Sequence, residues 1–188
     1  GLVGSEMCIR DRQRSNAKTV NFGIIYGVSA FGLSQQTDLS RIESKEMIDT
    51  YYKNYPKLKE YMSSQIQFAR ENGFVSTLLN RKRYLKDINS QNAIVRGAAE
   101  RTAINAPIQG SAADIIKLAM IRIDKKIYKQ KLQSRMILQV HDELVFDVPK
   151  EEKVVLTKIV KTEMENALEL EVPLVVDIGT GKNWLESH

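Results

Sequence analysis

The stretch Arg135-Met136-Ile137-Leu138-Gln139-Val140-His141-Asp142-Glu143-Leu144-Val145-Phe146-Asp147-Val148 decides the fold class. Its period-two apolar runs, either side of the polar centre His141-Asp142-Glu143, predict a β-hairpin. Downstream, Pro149 opens an amphipathic helix to about Leu170, with Val155, Leu156, Ile159, Val160, Met164 and Leu168 on its buried side. Pro173-Leu174-Val175-Val176-Asp177-Ile178 then reads as a further strand. Upstream, a long helical region runs from near Asn92 toward Tyr128, and Pro107 and Gly110 are expected to bend it. The carboxy half is therefore expected to be α+β, with an antiparallel hairpin and a further strand packed on helices.

The amino half has helical periodicity. From Arg14 to about Tyr26, Ala17, Val20, Ile24 and Ile25 fall on one side, and Arg14, Lys18, Phe22 and Tyr26 on another. A short helix and a turn follow over Ser29–Arg41. Ser44 is the expected N-cap of a helix running to about Asn54, with Glu46 favourable in its first turn. Pro56 opens another helix, carrying Leu58, Tyr61, Met62, Ile66, Phe68 and Ala69, which stops at Gly73. Phe74–Leu78 is expected to form a short strand, followed by a basic turn over Asn80–Tyr84. The change of character lies near residue 100. Residues 1–13 read as a non-native or disordered leader: GLVGSEMCIRDR shows no period and resembles a translated sequencing adapter.

At 188 residues, with 43% hydrophobic and 27% charged residues, the composition is that of a folded globular chain and excludes disordered, collagen-like or coiled-coil architectures. The formal net charge of +5 leans toward an anionic partner. One cysteine, Cys8, with only His141 and His188, can build neither an internal disulfide nor an N/S zinc site. The longest nearly apolar run, Val20–Leu33, is broken by Asn21 and Ser29 and falls short of the roughly 18 residues of a membrane span. A cytoplasmic chain without a membrane partner is expected.

Three constellations can carry chemistry. On the first helix, residues four apart drift by about 40° per step, so Arg14, Lys18, Phe22 and Tyr26 share one face. Guanidinium and ammonium one turn apart suit a polyphosphate, and a ring one turn further on can stack on a base or sugar. The same residues also suit a solvated basic stripe ending in core aromatics. Arg101, Asn105 and Gln109 repeat the four-residue spacing; such donors suit the acceptors of a minor groove, or simply occupy polar positions of a kinked helix. At the hairpin, adjacent Asp142 and Glu143 on rigid strands suit a metal ion, though Asp is also common in turns for local hydrogen bonding. The basic turn Arg81-Lys82-Arg83 either meets a phosphate backbone or is solvated. Gly179-Thr180-Gly181-Lys182-Asn183 is not a phosphate loop, since Val176 stands where the earlier Gly belongs and Asn183 replaces Ser or Thr.

Arg14-x3-Lys18-x3-Phe22-x3-Tyr26-Gly27 resembles motif B of the family A DNA polymerases, and Gln139-Val140-His141-Asp142-Glu143 resembles their motif C. Ala99–Asp114, read as AERTAINAPIQGSAAD, is similar to the same family's primer-template helix, and the resemblance covers residues 14–188. It implies a helical fingers subdomain over 14–100 and the carboxy-terminal part of the palm over 101–188. It further implies DNA-directed DNA polymerase activity in replication and repair, in a bacterial, nucleoid-associated, monomeric protein working on primer-template DNA and deoxynucleoside triphosphates. Asp142, Glu143 and Lys18 would be catalytic, with Asp142 on magnesium. Arg14, Lys18, Phe22 and Tyr26 would bind the nucleotide. Arg96, Arg101, Asn105, Gln109, Gln139 and His141 would bind primer-template.

The family takes a second metal-binding carboxylate from a palm strand upstream of motif B, and only Glu6 and Asp11 precede Arg14. The two-metal site is therefore expected to be incomplete and these residues inactive alone. A non-catalytic DNA-binding module is the alternative; it would keep the basic stripes and have no use for Asp142.

Overall fold

In the computed structural model, which describes residues 3–187 and their side chains from Arg14 onward, helix α1 spans Val3–Ile25. Gly1, Leu2, His188 and the side chains of the expected leader, Cys8 among them, lie outside the described residues. The helix starts well before Arg14, where the sequence reading placed it. No Gly or Pro interrupts Ser5–Phe22, and Glu6, Met7, Arg10, Arg12 and Gln13 are good helix formers that need no amphipathic period.

The chain divides into two compact units after Ile108. In the first, α1 leads through Gly27, at φ 74, into α2 (Ala30–Gln36), whose first turn is closed by the Gly32 N–H donating to Ser29 Oγ at 3.1 Å. Helix α3 (Arg41–Asn54) is capped by Ser40 and not by Ser44. Glu43 at the third position closes a capping box: its N–H donates to Ser40 Oγ at 3.2 Å, and its carboxylate accepts the Ser40 N–H at 2.8 Å. Ser44 is thereby turned inward and fully buried. Helix α4 (Pro56–Asn72) begins on its proline and ends on Gly73 at φ 76, as the local signals require.

Strand β1 (Phe74–Ser76) pairs antiparallel with β2 (Lys82–Tyr84), so the last three residues of the expected basic turn are a strand. The connection is tightened by Asn80 at φ 61 and by Thr77, whose hydroxyl accepts the Arg81 N–H at 3.2 Å. Val75 from β1 joins Ala69, Leu85, Ile88, Ala99 and Ala103 in the core of this unit. Full burial of a Val side chain contributes on the order of 2 kcal/mol. Helix α5 (Ala93–Lys129) runs unbroken through Pro107 and Gly110.

In the second unit, β3 (Arg135–Val140) pairs antiparallel with β4 (Glu143–Asp147), the expected hairpin. The register shifts between Met136, opposite Phe146, and Leu138, opposite Val145, so Ile137 is the extra residue of a bulge. Met136, Leu144 and Phe146 pack on a core of Ala119, Ile123, Leu156, Ile159, Val160 and Ala167, while Ile137 and Leu138 are exposed. Helix α6 (Lys153–Glu165), after a 3-10 turn over Lys150–Glu152, is shorter than expected. Asn166 stops it, the side-chain amide bonding back to the Thr162 carbonyl at 2.8 Å. The strand expected at residues 173–178 does not form. A strand needs a neighbour's N–H and C=O groups, and here the Val176 N–H donates instead to the Glu165 carboxylate at 3.3 Å. No described helix is long and apolar enough to cross a membrane.

Candidate functional site

In the first unit, Ile24 is fully buried and fixes the rotation of α1, which leaves the opposite face to solvent. Arg14, Lys18, Phe22 and Tyr26 are all exposed on it, as their spacing predicts. The Phe22 and Tyr26 rings stack with centroids 6.2 Å apart and planes 21° apart, and Lys18 Nζ lies 5.9 Å from the Phe22 centroid. Neither Arg14 nor Lys18 makes an ion pair among the described residues. Cations held one turn apart without a carboxylate are free to take an anion, and the rings beyond them offer a flat apolar surface.

Contacts that the sequence does not announce brace this face. Tyr51 of α3 donates its hydroxyl to Asn21 Oδ1 at 2.7 Å, one residue from Phe22. Gly27 ends the helix against α5 and α4. A Cβ there would stand 3.1 Å from Ile104 Cδ1, 3.6 Å from Met62 Cε and 3.8 Å from Arg101 Cγ. Gly27 itself is the sequence's signal for where the helix ends, since the left-handed conformation it takes at φ 74 favours Gly; nothing local announces the contact with α5.

Of the residues expected on the primer-template helix, Arg101 is exposed and adjoins Gly27, and Asn105 is half-buried with its Oδ1 buried and unpartnered. Arg96 is engaged internally. It donates to the Ser90 carbonyl at 2.8 Å and lies 3.9 Å from Glu100, whose carboxylate also pairs with Arg70. Gln109 is exposed on the part of α5 belonging to the second unit.

In that second unit, His141 and Asp142 form the two-residue turn between paired Val140 and Glu143. His141 takes φ 53, a conformation costly for any residue but Gly. The Gln139 side-chain amide donates to the His141 carbonyl at 3.0 Å and so ties the strained turn to its own strand. At the other end of the hairpin, Glu152 accepts the Gln133 N–H at 2.8 Å and, from Ser134, the N–H at 2.9 Å and the hydroxyl at 2.6 Å. These bonds, the Gln133 N–H foremost, hold the Glu152 carboxyl below the usual carboxylate range. Asp142, Glu143, His141 and Gln139 are all exposed. Two adjacent carboxylates are hard oxygen donors that fit a divalent ion such as magnesium. No group of three or more His, Cys, Asp or Glu suited to a metal occurs among the described residues.

Residues 3–186 match the model of DNA polymerase family A. The DNA polymerase I of Caldicellulosiruptor bescii is 55% identical over 179 residues, 95% of this chain and 21% of that protein. That of Streptococcus pneumoniae is 53% identical over 174 residues, 93% of this chain and 20% of the relative, and that of Bacillus subtilis 48% over 179 residues, 95% and 20%. The chain thus spans about a fifth of the length of these relatives. Among solved structures, the POL domain of Pol1 from M. smegmatis, in complex with DNA primer-template and dNTP, superposes with a TM-score of 0.89 at 45% identity, covering 93% of this chain and 31% of that one.

Proposed function

The chain belongs to DNA polymerase family A, and from that premise we propose that it is part of a DNA-directed DNA polymerase of replication and repair. Residues 14–100 are then most of the fingers and 101–188 the carboxy-terminal part of the palm. The observation that carries the reading is the α1 face, where two cations unpaired among the described residues precede two stacked, exposed rings.

In this reading Arg14 grips triphosphate oxygens with its planar fork, and Lys18 brings a movable ammonium to the phosphoryl group being transferred. Phe22 packs against the incoming sugar and base, and Tyr26 stands beside the templating base. The primer 3′-hydroxyl loses its proton to solvent water as its oxygen attacks the α-phosphorus; the new P–O bond forms as the bond to pyrophosphate breaks, and pyrophosphate leaves. Negative charge accumulates on the phosphoryl oxygens, and Lys18 stabilises it most where it is greatest. Arg101, Asn105 and Gln109 donate to minor-groove acceptors found at similar places in every base pair, checking pair shape and not sequence. Arg96 joins them by exchanging the Ser90 carbonyl and Glu100 for DNA. Gln139 and His141 lie along the primer end, and Asp142, with Glu143 beside it, holds magnesium. Magnesium held there would, together with a second ion, supply positive charge that favours ionisation of the primer hydroxyl and offsets charge on the leaving pyrophosphate.

Equilibrium dialysis of a labelled deoxynucleoside triphosphate against the chain tests the carrying observation. Arg14→Ala and Lys18→Ala should each weaken binding by about tenfold or more, the worth of a hydrogen bond to a charged group. Affinity unchanged in both variants would remove the basis of the reading.

A further inference from the structure

The β1–β2 hairpin of the first unit carries a surface that the polymerase reading leaves unused. Lys82 and Tyr84 alternate on β2, so both lie on one face of the hairpin with their cross-strand partners Ser76 and Phe74. On that face the Phe74 ring contacts Tyr84, at 5.9 Å between centroids, and Phe68 of α4, at 5.6 Å and edge-on. Lys82 Nζ lies 4.3 Å from the Phe74 centroid. Burial does not explain the cluster, because Tyr84 is 67% exposed and Phe68 41%. The core contact of this hairpin is made by Val75, on the other face of β1.

Charge points to the occupant. From Gly73 to Lys86 the chain carries Arg81, Lys82, Arg83 and Lys86 and no acidic residue. Lys82, Arg83 and Lys86 are exposed and make no ion pair among the described residues. The tight Thr77–Arg81 connection, with the Thr77 N–H bonded to the Arg81 carbonyl at 3.0 Å, holds the strands in register and the rings in place. Accessible rings among uncompensated cations suit a polyanion that presents flat apolar faces, and a duplex keeps its faces stacked inside.

We infer that the Phe68–Phe74–Tyr84 face of this hairpin is a binding site for single-stranded DNA, one base stacking on Tyr84 while Lys82, on the same face, takes an adjoining phosphate. The site uses none of the residues placed on nucleotide, primer or metal, and its test needs no nucleotide or primer. It therefore stands or falls separately from the polymerase reading.

The experiment is fluorescence anisotropy of a labelled oligothymidylate of about 12 nucleotides with the full chain, from about 50 to about 200 mM salt. Tyr84→Ala should weaken binding by about tenfold, while Tyr84→Phe, which keeps the ring, stays near the unmodified chain. Lys82→Gln should reduce the salt slope by about 0.7, the share of one phosphate on a single strand, and Arg83→Gln, on the opposite face beside Val75, should leave it nearer the unmodified value. Should Tyr84→Ala fail to fold, as judged by circular dichroism, photocrosslinking of the unmodified chain to a 5-iododeoxyuridine oligonucleotide decides: the adduct should map to Tyr84 or Phe74. The proposal is overturned if Tyr84→Ala binds as tightly as the unmodified chain, or if the adducts map only outside this hairpin. Competition by blunt duplex or polyglutamate as strong as by the single strand would also overturn it, showing a duplex-backbone or acidic-protein surface in its place.

Discussion

Two glycines end helices in the same left-handed conformation but in different surroundings, and replacing each by alanine separates backbone strain from packing. Gly73 stands at φ 76 with nothing within 4 Å of an added Cβ; Gly27 stands at φ 74 with Ile104 Cδ1 at 3.1 Å. Holding an L-residue in the left-handed region costs roughly 1–2 kcal/mol, offset by roughly 0.4–1 kcal/mol because alanine restricts the unfolded chain. Gly73→Ala should therefore destabilise by about 1 kcal/mol. Gly27→Ala carries the same cost and an overpacked contact, since carbon pairs are most favourable near 3.5–4.0 Å. Ile104 is only 4% exposed and has little room to retreat, so the contact adds about 1–3 kcal/mol. The total for Gly27→Ala is then about 2–4 kcal/mol. Because the chain has two units, urea unfolding is best followed by hydrogen exchange at amides of α4 and the first turns of α5, which report on the first unit. If Gly27→Ala protects those amides as well as Gly73→Ala does, the packing of α1 on α5 described above is wrong.

Three further perturbations probe local chemistry. Ser40→Ala should cost about 1 kcal/mol by removing the α3 cap, whereas Ser44→Ala, which deletes a buried hydroxyl without a partner, should be neutral or stabilising in the same thermal melt; the reverse order would return the cap to Ser44. Gln139→Ala should speed exchange of the Glu143 amide by roughly two- to twelvefold, the worth of one hydrogen bond of about 0.5–1.5 kcal/mol, as the His141 turn loses its tie; unchanged exchange would show that the bond does not hold the turn. Because the folded-state pKa of Glu152 is depressed, its contribution is present above the ordinary carboxylate range and is lost as pH falls through the folded value. Glu152→Gln should therefore flatten the acid limb of stability against pH, and an unaltered limb would count against the clasp on Gln133 and Ser134.

Features written in neighbouring residues were legible in the sequence. Pro56 and Gly73 mark the ends of α4 because each acts through its own backbone, and the period-two runs around His141–Glu143 announce the hairpin. That Arg14, Lys18, Phe22 and Tyr26 share one face of α1 also followed from spacing, whereas the exposure of the two rings did not. Features settled by distant partners were not legible. Ser40 and Ser44 both suit a cap, and the choice depends on which leaves Glu43 able to reach back and which serine faces inward. Lys82–Tyr84 reads as a basic turn until Phe74–Ser76 is there to pair with it, and Val175 and Val176 read as a strand although neither hairpin pairs with them. The internal engagement of Arg96 depends on Glu100, which also draws in Arg70 from 30 residues away.

If these residues supply part of a nucleotidyl-transfer site with Asp142 at its metal-binding turn, as proposed, primer extension should depend on the Asp142 carboxylate. The most direct measurement is primer extension by a chimera in which this chain replaces the matching fifth of the Caldicellulosiruptor bescii DNA polymerase I, with and without Asp142→Ala. Template-directed extension by the chimera is expected, and its loss, by about a thousandfold or more, in Asp142→Ala, as for an essential member of a catalytic group. Extension that survives Asp142→Ala undiminished would contradict the proposal.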